Sequence, residues 1–402
     1  MTTTEKTVNN QNRSEKPIYL DNNSTTPLDR QVLEAMMPYL TDQFGNASST
    51  THKYGATARK AIENARKQVA DLINARADEI IFTSGATESN NLAIKGVAEA
   101  LREKGNHIIT TTIEHKATLA PCEYLAKNGF EVTFLQPDEF GMITPQQVED
   151  AITDKTILIT IMLANNEIGT ILPIAEIGKI AREKGIIFHT DAAQGCGKIP
   201  LDVNQLNVDL MSLSAHKFYG PKGIGALYIR KKDNEPIRLI PQIHGGGHEK
   251  GIRSGTYNVP GIVGMGKAAE IAKENLPEEA NRLRKLRDKL HKGILDGLDN
   301  VKLNGHPEYR LPNTLNLVFV GVEGEALMLK MPEVAVSTGS ACSSESLEPS
   351  HVIKAIGLDD MMAHSVIRFS LGRFNTEQEI DFVIEKVISA VKDLRNLSPL
   401  TK

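Results

Sequence analysis

A lysine and an aspartate each follow an apolar run near the middle of the chain. Lys217 closes the segment 212–217, and Asp191 follows the apolar run 186–190. Enzymes that use pyridoxal phosphate (PLP) need such a pair, because a lysine forms an imine with the cofactor and an acid faces its pyridine nitrogen. A lone lysine is typically a solvated surface charge. The two together, at strand ends of an α/β pattern, favour a PLP site. Lys222 competes with Lys217, but its Pro-Gly turn favours exposure to solvent.

Asp191 and Gln194 have two interpretations each. Asp191 would pair with the protonated pyridine nitrogen, which makes the ring an electron sink for a substrate carbanion. A helix N-cap is an equally good interpretation of this aspartate. Gln194 could donate to the phenolate oxygen of the cofactor, or serve as the capping-box partner of Asp191.

A phosphate site is predicted where residues 84–87 join a strand to a helix, because backbone N–H groups converge on an anion at such a point. A plain tight turn with a threonine cap explains the same residues equally well. A second glycine-rich loop, at 245–248, lies upstream of Thr256, which could contribute to the phosphate site across a dimer interface. The candidate phosphate ligands are Ala86, Thr87, Ser214, His216 and Thr256.

Three more polar residues are candidates for the same site. His115, just beyond an apolar run, could stack on the pyridine ring and move protons, although a histidine there is more often structural. Asn166 is a candidate for contacts with cofactor and substrate. Arg368 lies inside an apolar strand and needs a partner; a substrate carboxylate matches its planar fork. A structural ion pair is an equally good interpretation of Arg368.

Cys342 limits the kinds of reaction that such a site could catalyse. It lies in a stretch rich in glycine and serine, 336–346, whereas most free cysteines are buried hydrophobic residues. A thiol in such a loop is better explained as reactive, and with a pKa near ~8.5 it needs a base or a cationic neighbour to attack. Cys122 is predicted to be a core residue. Cys196 lies near the proposed site but lacks the polar context.

The elements that must position these residues alternate along the chain. Seven apolar runs, mostly separated by helical stretches, predict an α/β fold with a mostly parallel seven-stranded sheet. Such sheets bind ligands at the carboxyl ends of their strands, where the candidate residues fall. The runs are 80–83, 107–112, 132–135, 157–162, 186–190, 210–213 and 225–229.

The pattern changes after about residue 270. Helical spacing at 281–298, 323–329 and 377–394 alternates with strand-like runs at 312–319, 334–336 and 367–370, which predicts a smaller α+β domain. We expect a disordered lead at 1–16, a large PLP-binding domain at 28–272, and a small domain made of 17–27 and 273–402 that carries the cysteine loop. A glycine-rich segment at 261–267 lacks the hydroxyl that would hold Mg²⁺, so it is not a nucleotide site.

Composition excludes several classes of protein. The 402 residues are 40% hydrophobic and 24% charged with a net charge of −4, which gives no reason to expect nucleic acid or an anionic membrane as a partner. No apolar run approaches the ~20 residues of a membrane helix. The three cysteines are too scattered for a disulfide framework or a zinc site. These features favour a reducing, cytoplasmic setting.

Ordered motifs along the chain support a family resemblance. The sequence resembles the cysteine desulfurases of the NifS/IscS type, which are class V members of the PLP fold-type I enzymes. The resemblance extends from Ile18 to Pro399. Its motifs are 19–27, 83–89, 114–115, 165–167, 214–217, 253–256, 340–342 and 368–370.

The resemblance implies a role for each candidate. Lys217 would be the Schiff-base lysine and His115 the stacking acid/base, with Asp191 and Gln194 on the ring and the phosphate ligands as given above. Asn166 would contact the cofactor and Arg368 the substrate carboxylate. Cys342 would take sulfur from L-cysteine, leaving alanine and an enzyme persulfide.

The resemblance also implies a homodimer that passes sulfur to an iron–sulfur scaffold or another acceptor, for cluster assembly or tRNA thiolation. No resident metal is expected, although Cys342 could transiently ligate an iron–sulfur cluster. The sequence departs from the family at Ser24, Ala47 and Cys196, and it lacks the longer C-terminal tail that docks a scaffold in some members. The alternatives are a selenocysteine lyase, a class V aminotransferase, and a silent binding partner with the same fold. An aminotransferase would have no use for Cys342.

Overall fold

A computed structural model describes residues 16–233, 235–338 and 349–397. Cys342 and nearly all of the predicted lead, 1–16, lie outside these residues. In the described part of the chain, no helix is long and apolar enough to cross a membrane.

The seven apolar runs form the predicted seven-stranded sheet. Its order is β2-β8-β7-β6-β5-β3-β4, and every pair is parallel except the two pairs that involve β8. Most of these strands are buried along their whole length, as expected for a sheet covered by helices on both faces. The strands up to this point are β1 (Ile18–Tyr19), β2 (Ile80–Thr83), β3 (His107–Thr111), β4 (Glu131–Leu135), β5 (Thr156–Thr160), β6 (Ile187–Asp191), β7 (Leu210–Ser214) and β8 (Gly225–Ile229).

Helices connect and cover these strands. They are α1 (Arg30–Leu40), α2 (Lys53–Leu72), α3 (Ala86–Ala100), α4 (Lys116–Lys127), α5 (Pro145–Asp150), α6 (Ile174–Glu183) and α7 (Val259–Gly297). Short 3₁₀ turns occupy Ala77–Glu79, Ala215–Lys217 and Glu249–Gly251. The turn at Ala215–Lys217 follows β7 directly, so Lys217 lies at the carboxyl edge of the sheet.

After α7 the chain forms a smaller antiparallel sheet, β11-β12-β14, packed against α7 and α11, whereas β9 pairs with β10 and β13 with β1. Its apolar cluster includes Leu290, Ile294, Phe319, Phe369 and Val387. The elements are β9 (Lys231–Lys232), β10 (Glu235–Pro236), β11 (Val301–Asn304), β12 (Thr314–Phe319), α8 (Gly324–Lys330), β13 (Val334–Ala335), α9 (His351–Ala355), α10 (Asp360–Ala363), β14 (Val366–Ser370) and α11 (Glu377–Leu397).

The long helix α7 differs from the sequence prediction. The sequence predicts a separate helix that begins at 281, but one helix of 39 residues runs from Val259, where the Asn258 side chain accepts a bond from Gly261 N. The glycine-rich segment 261–267 lies inside it. A Cβ at Gly264 would lie 2.6 Å from Met36 Sδ, and one at Gly266 would lie 2.6 Å from the Cα of Ala65. These glycines therefore allow close packing against α1 and α2, which explains them without a nucleotide.

The two domains of the sequence prediction remain a proposal, and α7 crosses the proposed boundary at 272. The parallel pairing of β1 with β13 supports grouping the segment 17–27 with the C-terminal part of the chain. Beyond β1, Asp21 pairs with Ser370 at the end of β14. This pairing leads residues 22–24 across the carboxyl edge of the large sheet.

Candidate active site

A cavity of about 410 Å³ opens at the carboxyl edge of the large sheet. It brings together residues that come from widely separated parts of the sequence. Of the predicted site residues, it is lined by Ala86, Thr87, His115, Asn166, Asp191, Gln194, Ser214, His216, Lys217 and Arg368. Lys222 lines it as well.

Among the described residues, one predicted site residue, Thr256, does not line this cavity. Thr256 is exposed, in the loop that follows the glycine-rich segment 245–247. That loop is tied to the sheet by Glu249, whose carboxylate accepts bonds from Arg66 at 2.8 Å and from Phe82 N at 3.0 Å. Cys342 lies outside the described residues.

The start of α3 forms one end of the cavity. Gly85 precedes the helix with a φ of +154°, a conformation that favours glycine, and leaves the first backbone N–H groups of α3, including those of Ala86 and Thr87, directed past the helix end. Gly225 on β8 packs against it, because a Cβ there would lie 2.6 Å from Gly85 Cα. Ser214, at the end of β7, faces the same end of the cavity.

His216 completes this end of the cavity. Its Nδ1 lies 3.1 Å from Thr25 Oγ1. Burial, followed by the positive charges of Lys217 and Lys222, lowers the pKa of His216 to about 4. The imidazole is therefore neutral at pH 7 and can serve as a hydrogen-bond partner without carrying a charge.

Asp191 caps the turn that follows β6 and lines the cavity. Its Oδ1 accepts from Ala193 N at 2.9 Å, which caps the turn that follows, and its Oδ2 accepts from Asn90 Nδ2 at 2.7 Å. Asn90 lies on α3 and also donates to Thr118 Oγ1. The carboxylate is thus fixed from two sides while still lining the cavity.

Gln194 does not form the capping box with Asp191. Its Nε2 donates to Asn23 O at 2.9 Å, and its Oε1 accepts from Lys198 Nζ at 2.7 Å. Neither contact involves the backbone N–H of Asp191 that a capping box requires. The amide instead lines the cavity.

His115 lies at the N-terminus of α4. Its Nδ1 accepts from Ala117 N at 3.0 Å, so the neutral ring carries its proton on Nε2. Burial lowers the pKa of His115; the Asp191 carboxylate acts in the opposite direction, and Lys217 lowers it further. A histidine that is neutral at physiological pH suits a group that must accept and return a proton.

The amine of Lys217 is held by two backbone carbonyls. Its Nζ donates to Asn23 O at 2.6 Å and to Ser24 O at 2.8 Å. Asn23 is in turn bonded to Ser370 Oγ through its N–H and to Thr314 Oγ1 through its side chain. The segment beyond β1 thus connects the small sheet to Lys217.

Arg368 is a buried cation with an ion-pair partner. Nη2 donates to Asp21 Oδ1 at 2.7 Å and to Ser24 Oγ at 2.8 Å, and Nη1 donates to Asn166 O at 2.9 Å. Its Nε has no hydrogen-bond acceptor among the described residues. The ion pair predicted as the alternative is therefore present, and the side chain also lines the cavity.

Asn90 and Lys198 were missed by sequence reasoning. Asn90 lies in the middle of an ordinary helix, and nothing in its neighbourhood marks it as the partner of Asp191. Lys198 gives a weak signal, because its spacing of four residues from Gln194 places both on one face of a helical turn. Both are buried, at 0% and 8% exposure.

The residues that line the cavity fit PLP. Backbone N–H groups at the start of α3, with Ser214 and His216, would hold the phosphate. Asp191 would face the pyridine nitrogen, His115 would lie against the ring, and Lys217 would hold the aldehyde carbon. The special conformation at Gly85 has a physical reason here, because a phosphate must approach the backbone closely.

Comparison with known proteins identifies the family. The model of the aminotransferase class-V family matches residues 18–383. This chain is a member of that family. Membership confirms the fold and the family resemblance inferred from the sequence motifs.

Other members of the class-V family are similar over nearly the whole chain. A cysteine desulfurase IscS from Anaeromyxobacter dehalogenans (strain 2CP-C) is 55% identical over 384 residues, covering 96% of this chain and 95% of that protein. Among solved structures, a NifS-like protein superposes with a TM-score of 0.87 at 40% identity, covering 94% of this chain and all of that one. A structure of SspA in complex with cysteine has a TM-score of 0.79 at 43% identity and covers 89% and 100% of the two chains.

Proposed function

We propose that this protein is a PLP-dependent cysteine desulfurase. The reaction converts L-cysteine and the Cys342 thiol into L-alanine and a persulfide on Cys342. The proposal is supported by 55% identity to a desulfurase along 96% of the chain and by the cavity that gathers the predicted residues.

The positions of the two flanking segments support the proposed role of Cys342. Both segments that flank its loop are attached beside the cavity. Ser337 exchanges backbone hydrogen bonds with Arg368, at 2.7 and 3.3 Å. On the other side, Ser350 Oγ donates to Glu167 Oε2, next to Asn166, and His351 Nε2 lies 2.9 Å from Glu114 O, next to His115. Cys342 follows Ser337 by five residues, a span of at most ~18 Å, which is enough to reach the cavity.

The side chains of the cavity suit the chemistry of this reaction. Bound PLP would supply an electron sink for the bond broken at the substrate α-carbon. Arg368 would bind the substrate carboxylate through its planar fork, with Asn166 beside it. Lys217, released from Asn23 O and Ser24 O, would move the α-proton, and His115 Nε2 would move a proton at the substrate nitrogen or sulfur.

Cys342 would act on the substrate sulfur. Its thiolate forms an S–S bond as the Cβ–S bond of the substrate breaks, and the electron pair of that bond remains with the carbon, which becomes the methyl group of alanine after protonation. Atoms and electrons balance without an external oxidant. The cationic side chains of the cavity, Lys217 and Arg368, favour the thiolate over the thiol when it approaches.

The test compares two cysteine variants. Cys342→Ala should lose alanine and persulfide formation from cysteine while the purified protein stays yellow with bound PLP. Cys196→Ala is the matched control, because Cys196 is fully buried and should keep full activity. Undiminished turnover of cysteine by Cys342→Ala would refute the mechanism. Retained activity of that variant on selenocysteine alone would favour the selenocysteine lyase, since selenide can leave without thiol attack.

We further propose that the protein is a homodimer in which Thr256 contributes to the phosphate site of the partner subunit. Thr256 is exposed and does not line the cavity of its own chain. Large apolar side chains are exposed on α1 and just after it, at Leu33, Met37, Leu40 and Phe44. Light scattering should give twice the chain mass, and Thr256→Ala should weaken PLP binding; a monomer that binds PLP normally would contradict this.

The sulfur acceptor and the location follow from the same proposal. We expect the persulfide to pass to an iron–sulfur scaffold or to another acceptor that serves tRNA thiolation. A cytoplasmic location suits the free thiols of Cys122 and Cys196. A persulfide-transfer assay with purified candidate acceptors tests the first point, and it fails if none of them acquires sulfur from the loaded enzyme.

A further inference from the structure

Lys198 is the most unusual side chain near the cavity. It is 8% exposed, and its Nζ donates to Gln194 Oε1 at 2.7 Å and to Asn23 Oδ1 at 3.0 Å. Both acceptors are neutral amide oxygens. Among the described residues, no carboxylate oxygen lies within 4.0 Å of this amine, although buried lysines are normally paired with one.

The neighbours of Lys198 do not compensate its charge. Burial, together with the positive charges of Lys217 and Arg368, holds the pKa of Lys198 well below its usual range. An ordinary structural lysine would not be kept in such a position, because the burial costs free energy that a methionine of similar length would avoid. The amine therefore needs a reason to be there.

The contact with Gln194 supplies that reason. A glutamine amide has a donating and an accepting end, and its orientation is set by its partners. Here Lys198 Nζ donates to Oε1 and the Asn23 carbonyl accepts from Nε2, so the two partners together set the orientation of the Gln194 amide. Nε2 is then the atom offered on the side of the cavity, where it donates to Asn23 O.

Asn23 is held in the same way. Its Oδ1 accepts from Lys198 Nζ and from Asn313 Nδ2. Its backbone carbonyl accepts from Lys217 Nζ. Asn23 is also bonded to Ser370 Oγ and Thr314 Oγ1, so its position does not depend on Lys198 alone, unlike the accepting end of Gln194.

We propose that Lys198 is a positioning residue that orients the Gln194 amide so that its Nε2 donor, and not its Oε1 acceptor, is presented to the phenolate oxygen of PLP. The inference rests on the proposed function, because it presupposes that PLP occupies the cavity. Lys198 itself touches neither cofactor nor substrate. Its effect on PLP passes through the Gln194 amide that it bonds.

The test is a double-mutant cycle read out as PLP affinity. Apoenzyme is prepared from wild type, Lys198→Met, Gln194→Leu and the double variant, and PLP is titrated by fluorescence and by visible absorbance. Each single variant should bind PLP about tenfold more weakly, the loss expected for one hydrogen bond to a charged acceptor. The double variant should also be about tenfold weaker, because the other bond of Lys198 goes to Asn23, which Asn313, Ser370 and Thr314 hold as well. A loss near a hundredfold in the double variant would overturn the proposal.

Lys222→Met is the matched control for charge. Lys222 is also a lysine that lines the cavity. The lysine that donates to Gln194 Oε1 is Lys198, so Lys222→Met removes a nearby positive charge and leaves that hydrogen bond in place. If the loss in Lys198→Met reflected only a missing positive charge, Lys222→Met would combine with Gln194→Leu in the same way as Lys198→Met does. We expect instead that the effects of Lys222→Met and Gln194→Leu multiply.

A further variant keeps the proposal falsifiable if Lys198→Met fails to fold. Gln194→Glu preserves an acceptor for Lys198 but offers an oxygen to the cavity in place of Nε2. The carboxylate loses the bond to Asn23 O but gives Lys198 a charge partner, so the thermal midpoint of the apoenzyme should change little. PLP affinity should fall about tenfold or more, with a shifted absorbance band. Unchanged affinity and absorbance in this variant would overturn the inference. A wild-type protein that stays colourless with added PLP would instead refute the proposed function.

Discussion

Replacing Glu249 with glutamine should destabilise the protein strongly. The carboxylate and its partner Arg66 are almost fully buried, with side-chain exposures of 2% and 9%, and they form two hydrogen bonds of 2.8 Å. Glu249 Oε2 also accepts from Phe82 N, and Arg66 also donates to Ile80 O. The substitution would keep the size of the side chain but would leave a buried guanidinium without its counter-charge.

The magnitude follows from that environment. Removing one partner of a buried ion pair costs about 3–5 kcal/mol. Glu63, 3.3 Å from Arg66 Nε and 61% exposed, compensates part of the charge, so the lower end, about 3 kcal/mol, is expected. Arg66→Met combined with Glu249→Gln should cost much less than the sum of the two single changes, because no unpaired charge remains.

The measurement is the free energy of unfolding in urea at one fixed protein concentration. The control is Glu34→Gln, which breaks the ion pair between Arg30 and Glu34. The Arg30 side chain is 91% exposed and the Glu34 side chain 63% exposed. That change should cost less than about 1 kcal/mol. Equal effects of Glu249→Gln and Glu34→Gln would refute the reasoning, as would additivity in the double variant.

Three further predictions concern pH, the phosphate end of the cavity and the thiols. Burial raises the pKa of Glu114 from 4.5 to about 8. The free energy of unfolding that the protonated carboxyl contributes is therefore complete below pH 4.5 and is lost as the pH rises through 8. Glu114→Gln should therefore gain stability relative to wild type from pH 5 to pH 8, by up to ~1.4 kcal/mol per unit in urea titrations, and parallel curves would contradict this. Gly85→Ala should weaken PLP binding about tenfold or more in a fluorescence titration, whereas Gly185→Ala, at another positive φ with open space around it, should not. A thiol reagent should label Cys122 and Cys196 only in denaturant, because both are buried; rapid labelling of either in the native protein would contradict the structure.

The sheet was predictable from the sequence because its strands are apolar along their whole length. Runs such as 157–160 and 210–213 are buried on both faces and bounded by polar turns, so the signal is local. The helix α7 was predictable only in part: Pro260 indicates a helix start, but nothing local indicates the continuation through Pro277 into the leucine-spaced segment. A proline inside a helix loses a hydrogen bond, and here packing against α2 and α11 compensates for it.

Site residues were predictable from the sequence only where the residue itself directly follows an apolar strand. Lys217 and Asp191 follow apolar runs directly, and so they could be named in advance. The roles of Asn90 and Lys198 depend on contacts made only in the folded chain; Asn90 and Asp191 are 101 residues apart in sequence. For Gln194 the local rule offers the capping box, whereas the long-range contacts to Asn23 and Lys198 decide its conformation. For Arg368 the sequence allows two interpretations, and the ion pair with Asp21 is one of them.

The contact between Asp21 and Arg368 has a consequence for how the protein is made. The two residues are 347 positions apart, so at roughly 5–20 residues per second the ribosome needs roughly 20–70 s to go from one to the other. Lys217 leaves the ribosome well before Arg368. During that interval the carbonyls of Asn23 and Ser24 cannot be held in place by β14, and the cavity is incomplete. The PLP binding that we propose for this cavity would therefore come late in the life of each chain, after synthesis of the last strand.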